Sequence, residues 1–544
     1  MKTSTSIMKK RTLLLIILCL MIASSYAQRD TYGIRLLENN QLLKAKVYYL
    51  KLVSEKPGNV YNNFYLGETY YRLGKPDSAE ICYNNGIRIS PETAISYAGA
   101  GKILLDKGKP DDAKKLFTKA ESYSNYKDAA LYVQLALACV DAKIKNYEMA
   151  DYYLQEAKKL KKTLTSIYIV TGTIFEQKNN LGDAATEYER AIYYDNKCIE
   201  ANFKLGIIYS KAQNFNASIN AFNNVIKLDS GYFPVYRELG ELYYTYGYYP
   251  KASENFSKYI SMSEPDNDDN IRYATILFFN KEYQKSLDLL SKIIKTDSGN
   301  PVILRLNAYD LYEIKDYTNG LKAMNNFFKI TPSARVIATD MEYMGKLLSK
   351  NNQDSLAIIY YNSALNMDSS KTSLYENLGN SYDRMKKFDK SSDYYSKLLK
   401  VKKNILSSDY FQYGRACYNA GNMFTEIADS LIKKSFYIKS DTAFGTVISL
   451  SPGSYVGYFW RARVKAMLDP ESEAGIAKPY YEKVIAITEP NSDKYKKELI
   501  ESYKYMGYFY FLTKDKEKSK EFWNKVLVLD PADTMAQEAL KGIK

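Results

Sequence analysis

The residue types that most often carry catalysis are missing or badly spaced in this 544-residue chain. It has no histidine, which removes imidazole bases, His-based triads, His-ligated metals and an imidazole pH switch. Its five cysteines are scattered. Cys19 lies in an apolar leader, and Cys82, Cys139, Cys198 and Cys417 have neither metal-site spacing nor the density of a disulfide framework. Cys82 and Cys139 fall inside helical apolar patterns and read as buried thiols. No glycine-rich loop opens a helix in the way phosphate binding requires. The carboxylate pairs, Asp111-Asp112 and Glu471 with Glu473, stand at turns and helix starts, where an acid is favoured by the helix dipole. The densest acidic cluster is Asp266, Asp268 and Asp269 after Pro265. It reads as a cap for the helix that follows, and calcium binding is the less favoured alternative. The chain is therefore expected to be no enzyme, with no cofactor and no metal.

The apparatus that would position a binding surface is easier to read. Hydrophobic residues make up 46% and charged residues 25% of the chain, the balance of ordinary globular material. The 54 tyrosines are unusual. Tyr joins an apolar body to a polar tip, which suits helix packing and recognition alike, although the count also fits a compositional habit of the source. Lys9, Lys10 and Arg11, the apolar run Thr12 to Ala23, and Ser25-Tyr26-Ala27 form a signal-peptide pattern, with Gln28 the expected new N-terminus. An uncleaved anchor and lipidation at Cys19 are the weaker readings. No second stretch is apolar enough to cross a bilayer. Loss of residues 1–27 takes away four cations and no acid, so the net charge of +14 falls to +10. That mild excess, without a run of five basic residues, argues against nucleic acid as a partner.

A fixed period organises the rest. Small residues recur at Gly33, Gly67, Gly101, Ala138, Gly172, Gly206, Gly240, Ala274, Ala308, Gly345, Gly379 and Gly414, nearly all 34 residues apart. Two weaker units follow at Ala462 and Gly507. Twelve residues after a mark stands a second small residue, such as Ala79, Ala113, Ser218 or Ser391. Sixteen after it stands a large one, such as Tyr83, Phe117, Phe222 or Tyr395. Each unit is a helix–turn–helix whose backbones approach at the small residues. Extra residues are expected around Tyr123 to Lys127 and near Thr331-Pro332. The stretch 415–452 breaks the period, and Phe424 to Ile448 reads as a longer or broken helix pair interrupted at Ser440-Asp441-Thr442.

Leu66-Gly67-Tyr70, Leu205-Gly206-Tyr209, Leu239-Gly240-Tyr243 and Leu378-Gly379-Tyr382 carry a clear resemblance to tetratricopeptide repeat proteins, over nearly all of 28–533. The resemblance implies an all-α, right-handed alpha-alpha superhelix of about 14 helix pairs with a concave groove. The expected layout is a signal peptide at 1–27 and a regular array at 28–414. Irregular units at 415–533 are either continuous with the array or hinged to it, and a capping helix takes 534–544.

In this family first-helix residues line the groove and bind peptides or protein segments. Carried onto this chain, the positions six and three before the mark, and one, four and five after it, single out Tyr61, Phe64, Glu68, Tyr71 and Arg72 in the second unit. Further along they give Arg237, Glu241, Tyr244, Phe278, Phe279, Arg305, Tyr309 and Tyr312, then Lys346, Lys350, Asn380, Asp383 and Arg384. The aromatic and Arg candidates are the ones weighted for ligand contact. The family's carboxylate clamp of paired Lys and Asn is not matched, because Arg305 and Tyr309 precede Lys346 and Asn380, and Asp383 opposes an anion. The expected function is a scaffold or adaptor in the cell envelope that binds a protein or peptide, the protein being exported to the periplasm or outer membrane. The alternative is a carbohydrate or peptidoglycan binding module, with rings such as Tyr61, Phe64 and Tyr71 beside Glu68. The leader and the abundance of Tyr, Lys and Asn also resemble exported envelope proteins of the Bacteroides and flavobacterial group.

Overall fold

The computed structural model describes residues 31–426 and 430–543. The signal peptide expected at 1–27 lies outside them. Among the described residues the regular structure is helical throughout, with 29 α-helices, short 3-10 turns and no strand. Two compact units divide the chain, residues 1–293 and 294–544. Within each, a helix packs against the one before it and the one after it, as short loops between antiparallel helices demand. This is an all-α helix-pair solenoid.

The period of the sequence is a steric one. A Cβ built on Gly67 would come within 2.5 Å of the Tyr83 ring, one on Gly101 within 2.1 Å of Phe117, and one on Gly206 within 2.5 Å of Phe222. The mark is small because the ring sixteen positions later packs directly against its backbone. Where the small second-helix residue is Ser, its hydroxyl is buried and satisfied. Ser218 Oγ donates to the Gly206 carbonyl at 2.8 Å, Ser391 Oγ to Gly379 at 2.9 Å and Ser519 Oγ to Gly507 at 2.8 Å. The turn also has a constant conformation. Seven residues after most marks φ is positive, and the residue is Gly only at Gly74, Gly108 and Gly247. Asn179, Lys281, Lys315 and Lys386 hold the same left-handed conformation elsewhere, at a steric cost that glycine avoids.

The departures from the period have local explanations. Residues 124–128 form a loop with Asn125 and Tyr126 at positive φ, and a 3-10 turn at Ser333–Arg335 takes up the other extra residues. At 415–452 the helix pair is lengthened, not broken. Helices Ser407–Met423 and Ser430–Leu450 are both continuous, and Ser440-Asp441-Thr442 lies inside the second. Ser440 Oγ donates to the Gly414 carbonyl at 2.8 Å, the bond made by Ser residues in regular repeats. Gly421 packs on Tyr437, sixteen residues on, while Gly414 packs on Phe444, thirty on. The fourteen additional residues thus divide into seven on each helix, two turns apiece, which keeps both contact layers in register.

In the unit at 1–293 a core cluster runs from Tyr97 to Ile208. The ends of that unit also meet. The Arg35 guanidinium lies 2.6 Å from the Asp229 carboxylate, and the Gln41 side-chain amide donates to the Met262 carbonyl at 3.0 Å. The Glu264 carboxylate accepts from the backbone N–H groups of Leu43 and Lys44 at 2.9 and 3.0 Å. In the unit at 294–544 a core from Phe459 to Ile543 is covered at its end by helix Thr534–Gly542, through Ala536, Ala539 and Leu540. No described helix is long and apolar enough to cross a membrane.

Candidate functional site

The charges on the first helices are mostly engaged by partners about one repeat away. In the unit at 1–293, Lys102 Nζ meets both Glu68 carboxylate oxygens at 2.8 and 2.9 Å, and Tyr83 OH donates to the same carboxylate at 2.6 Å. Burial pushes the Glu68 carboxyl up, but the Lys102 charge and these hydrogen bonds outweigh it and hold it below the usual carboxylate value. Lys102 is itself buried and lies 4.1 Å from the centre of the Tyr71 ring. Tyr71 OH donates to Asp106 at 3.0 Å, and Arg72 Nη1 to the Leu37 carbonyl at 2.9 Å. Glu176 receives Lys211 at 2.7 Å and Lys204 at 3.3 Å. Arg237 Nε donates to Asp269 at 2.9 Å, and Arg272 clasps Glu241 through three hydrogen bonds of 2.6 to 2.9 Å.

Three other carboxylates on these helices form no ion pair among the described residues. Glu38, Asp141 and Glu200 are exposed to water. Loss of bulk hydration raises the Glu200 carboxyl, with Glu38 and Asp141 adding repulsion and Lys204 and Arg72 opposing it. Glu238 meets Arg237 at 3.3 Å, and loss of hydration raises its carboxyl all the same, Arg237 opposing and Glu241 adding to the effect. The acidic cluster near Pro265 has a structural role. Asp266 accepts from the Asp269 backbone N–H and caps helix Asn267–Phe279, while Asp269 is buried between Arg237 and Tyr259.

The unit at 294–544 repeats the pattern. The fully buried Asp340 carboxylate accepts from Arg305 at 3.0 Å, Tyr309 OH at 2.5 Å and the Ile337 backbone N–H at 2.8 Å. Glu342 takes Lys346 at 2.5 Å and Lys371 at 2.7 Å. Arg384 pairs with Asp354, Arg415 with Asp383 and Arg463 with Glu501.

Among the groove candidates the structure separates core from surface. Phe64 and Tyr309 are buried, at 5% and 4% exposure. Arg72, Arg237 and Arg305 are held by the groups named above, and Tyr71 by Asp106. Tyr61 is exposed and lines a shallow, open surface depression with Lys56, Asn59, Ser90 and Thr93. Tyr244, Phe278 and Phe279 come together. Tyr244 and Phe279 meet edge to face at 5.6 Å, Tyr249 stacks on Phe279 at 5.3 Å, and the Arg272 guanidinium lies 4.5 Å from the Tyr244 ring centre. Phe279 remains 43% exposed. Tyr312 packs edge to face on Tyr343 at 5.5 Å, with Lys346 5.9 Å from its centre. Sequence reasoning missed Tyr508, Phe511 and Leu512, all large and exposed in the last full repeat. They stand one, four and five residues after the Gly507 mark, so the positional rule used for earlier units would have found them.

Four of four free cysteines among the described residues are wholly or partly buried, and burial pushes the Cys139 and Cys417 thiols up to about 12, far from a reactive thiolate. Among the described residues no group of three or more Cys, Asp or Glu is placed to hold a metal ion. What the fold and these contacts define is a helical-hairpin repeat protein whose first helices carry cross-linked polar groups interrupted by aromatic clusters.

A tetratricopeptide repeat family model matches residues 63–93, 199–232 and 372–405. The C-terminal part of a TPR repeat-containing protein from Cytophaga hutchinsonii is 32% identical to this chain; the match covers 99% of that part and 50% of this chain, with a TM-score of 0.41. The chain belongs to the tetratricopeptide repeat family. A TPR repeat-containing protein of Methanocaldococcus jannaschii is 22% identical over 367 residues, 67% of this chain and 54% of that protein. The Hsp70-Hsp90 organizing protein of Triticum aestivum is 21% identical over 246 residues, 44% of this chain and 41% of that protein. The chain spans about half the length of the curated relatives it matches.

Proposed function

We propose that this protein is a non-enzymatic scaffold that holds a protein or peptide segment on its first-helix wall. The carrying observation is the Tyr244–Tyr249–Phe279 cluster beside Arg272. Rigid, part-exposed rings next to a guanidinium are the surface on which binding energy concentrates. The wheat relative is named an Hsp70-Hsp90 organizing protein, but a carboxylate-clamp role is not extended to this chain. The cations such a clamp would use, Arg305 and Lys346, already hold Asp340 and Glu342. The residual charge of the wall near Glu38, Asp141 and Glu200 favours a segment that is apolar or basic.

The test is capture from the native cell envelope on the immobilised protein and on Phe279→Ala with Tyr244→Ala, after circular dichroism shows equal helix content. Proteins retained by the native chain should fall at least about tenfold on the variant. Equal retention refutes the wall as the binding surface. Retention of glycan alone, with no protein, replaces this reading with the carbohydrate one.

Export to the periplasm or outer membrane is part of the proposal. It is supported by the Lys9 to Ala27 leader pattern and by the resemblance to envelope proteins of the Bacteroides and flavobacterial group. Mass spectrometry of the envelope fraction should find an N-terminus at Gln28. A chain that retains residues 1–27 in the cytoplasm refutes it.

A further inference from the structure

Helix Leu42–Glu55 begins without a cap of its own. Gln41, at its N-cap, makes no side-chain bond to the helix, because its amide is turned to the Met262 carbonyl. The first N–H groups of a helix need acceptors, and here two of them find one 220 and 221 residues along the chain, in Glu264. On the preceding helix, Thr31–Glu38, Arg35 reaches Asp229 across 194 residues. Asp229 is held low by the hydrogen bond from Arg35, with some opposition from lost hydration. The Arg35 guanidinium occupies the space over Gly231, where a Cβ would lie 2.7 Å from its Nη2. Three separate contacts therefore tie the first hairpin to the segment 229–264.

These contacts bring the first repeat against the sixth and seventh. The Glu200 carboxylate is within electrostatic reach of Glu38 and Arg72, from the first two repeats, and of Asp141 and Lys204. Charges from the first, second, fourth and sixth repeats thus share one electrostatic neighbourhood within this unit. We propose that the first hairpin is a clasp on the unit at 1–293, so that its inner wall admits an extended polypeptide segment and excludes a folded domain until the clasp opens. This rests on the scaffold reading above and specifies the form of partner that the wall accepts.

Size-selective labelling of the full chain tests it without a partner. Glu200→Cys supplies a thiol on the wall, in a background with Cys198→Ser to silence the part-buried neighbour. A small maleimide should label this site readily, while a maleimide carried on a folded protein of tens of kilodaltons should label it at least about tenfold more slowly. Glu264→Ala and Arg35→Ala, each releasing one end of the clasp, should restore the slow reaction. Backbone hydrogen exchange at Leu43 and Lys44 should rise at least about tenfold in Glu264→Ala, with helices Ala129–Asp141 and Thr165–Gln177 unchanged. Equal rates for the two reagents on the closed chain overturn the proposal. So does unaltered exchange at Leu43 and Lys44 in Glu264→Ala, which shows that the clasp does not form in solution. Neither result bears on whether a segment is captured, so failure of the clasp and failure of the scaffold reading are separable.

Discussion

Replacing Arg305 with Ala decides whether that residue is a ligand contact or part of the frame. Asp340 has no exposed side-chain surface and Arg305 retains 16%. Among the described residues, deleting the guanidinium leaves a buried carboxylate with Tyr309 OH and the Ile337 backbone N–H as its donors. Breaking a buried pair from one side costs about 3–5 kcal/mol, because the remaining charge has lost its counter-ion. Partial access of water to Arg305 argues for the lower end, about 3 kcal/mol. At about 1.4 kcal/mol per factor of ten, local opening of helices Pro301–Glu313 and Ala338–Lys350 should become about a hundredfold more frequent. Hydrogen exchange read by mass spectrometry measures it, with helices Ala129–Asp141 and Thr165–Gln177 as the internal reference. Adding Asp340→Asn removes the stranded charge while keeping one acceptor, and should recover about half of the loss, a non-additivity expected of direct contacts. If Arg305→Ala changes exchange by less than about threefold, or the double variant is no better than the single one, the pair is not structural and Arg305 is free to meet a ligand.

Gly101→Ala should destabilise helices Ile95–Asp106 and Pro110–Tyr123, since overpacking against the fully buried Phe117 costs about 1–3 kcal/mol and exceeds the gain of about 1 kcal/mol in helix propensity. Gly182→Ala, with nothing within 4 Å of its Cβ, should raise stability; local exchange rates compare the two. Lys315 holds φ at 70°, so Lys315→Gly should raise the denaturation midpoint by relieving about 1 kcal/mol of left-handed strain, partly offset by the greater unfolded freedom of Gly. Glu200 is raised in the fold. Its penalty is absent below the unfolded value near 4.5, appears as pH rises from there through the folded value, and is fully present above it. Glu200→Gln should therefore raise the melting temperature at pH 7 and leave it unchanged below pH 4.5. A gain of equal size at both pH values would refute the electrostatic origin.

Much of the fold is local, and local rules are legible. The pairing of Gly67 with Tyr83, or Gly206 with Phe222, follows from helical geometry over sixteen residues, so period alone places the helices and their closest approach. The lengthened hairpin was also within reach. Gly421 and Tyr437 keep the sixteen-residue step, but the outer pair Gly414 and Phe444 obscured it by moving thirty apart. The groove positions were less legible. Counting from a mark finds the face of a helix, yet Phe64 and Tyr309 on that face sink into the core while Phe279 stays open, a difference set by neighbouring helices.

By itself, then, the sequence determined the repeat, the steric reason for its small residues, and the lack of imidazole chemistry, because each depends on residue type and spacing within one hairpin. The tertiary structure decided which charges are engaged and where the unit at 1–293 meets itself. Arg305 finds Asp340 thirty-five residues on, and Glu264 caps a helix more than two hundred residues earlier. Such partners are chosen by the small rotation between successive hairpins. That rotation accumulates over several repeats and has no signature in any one of them.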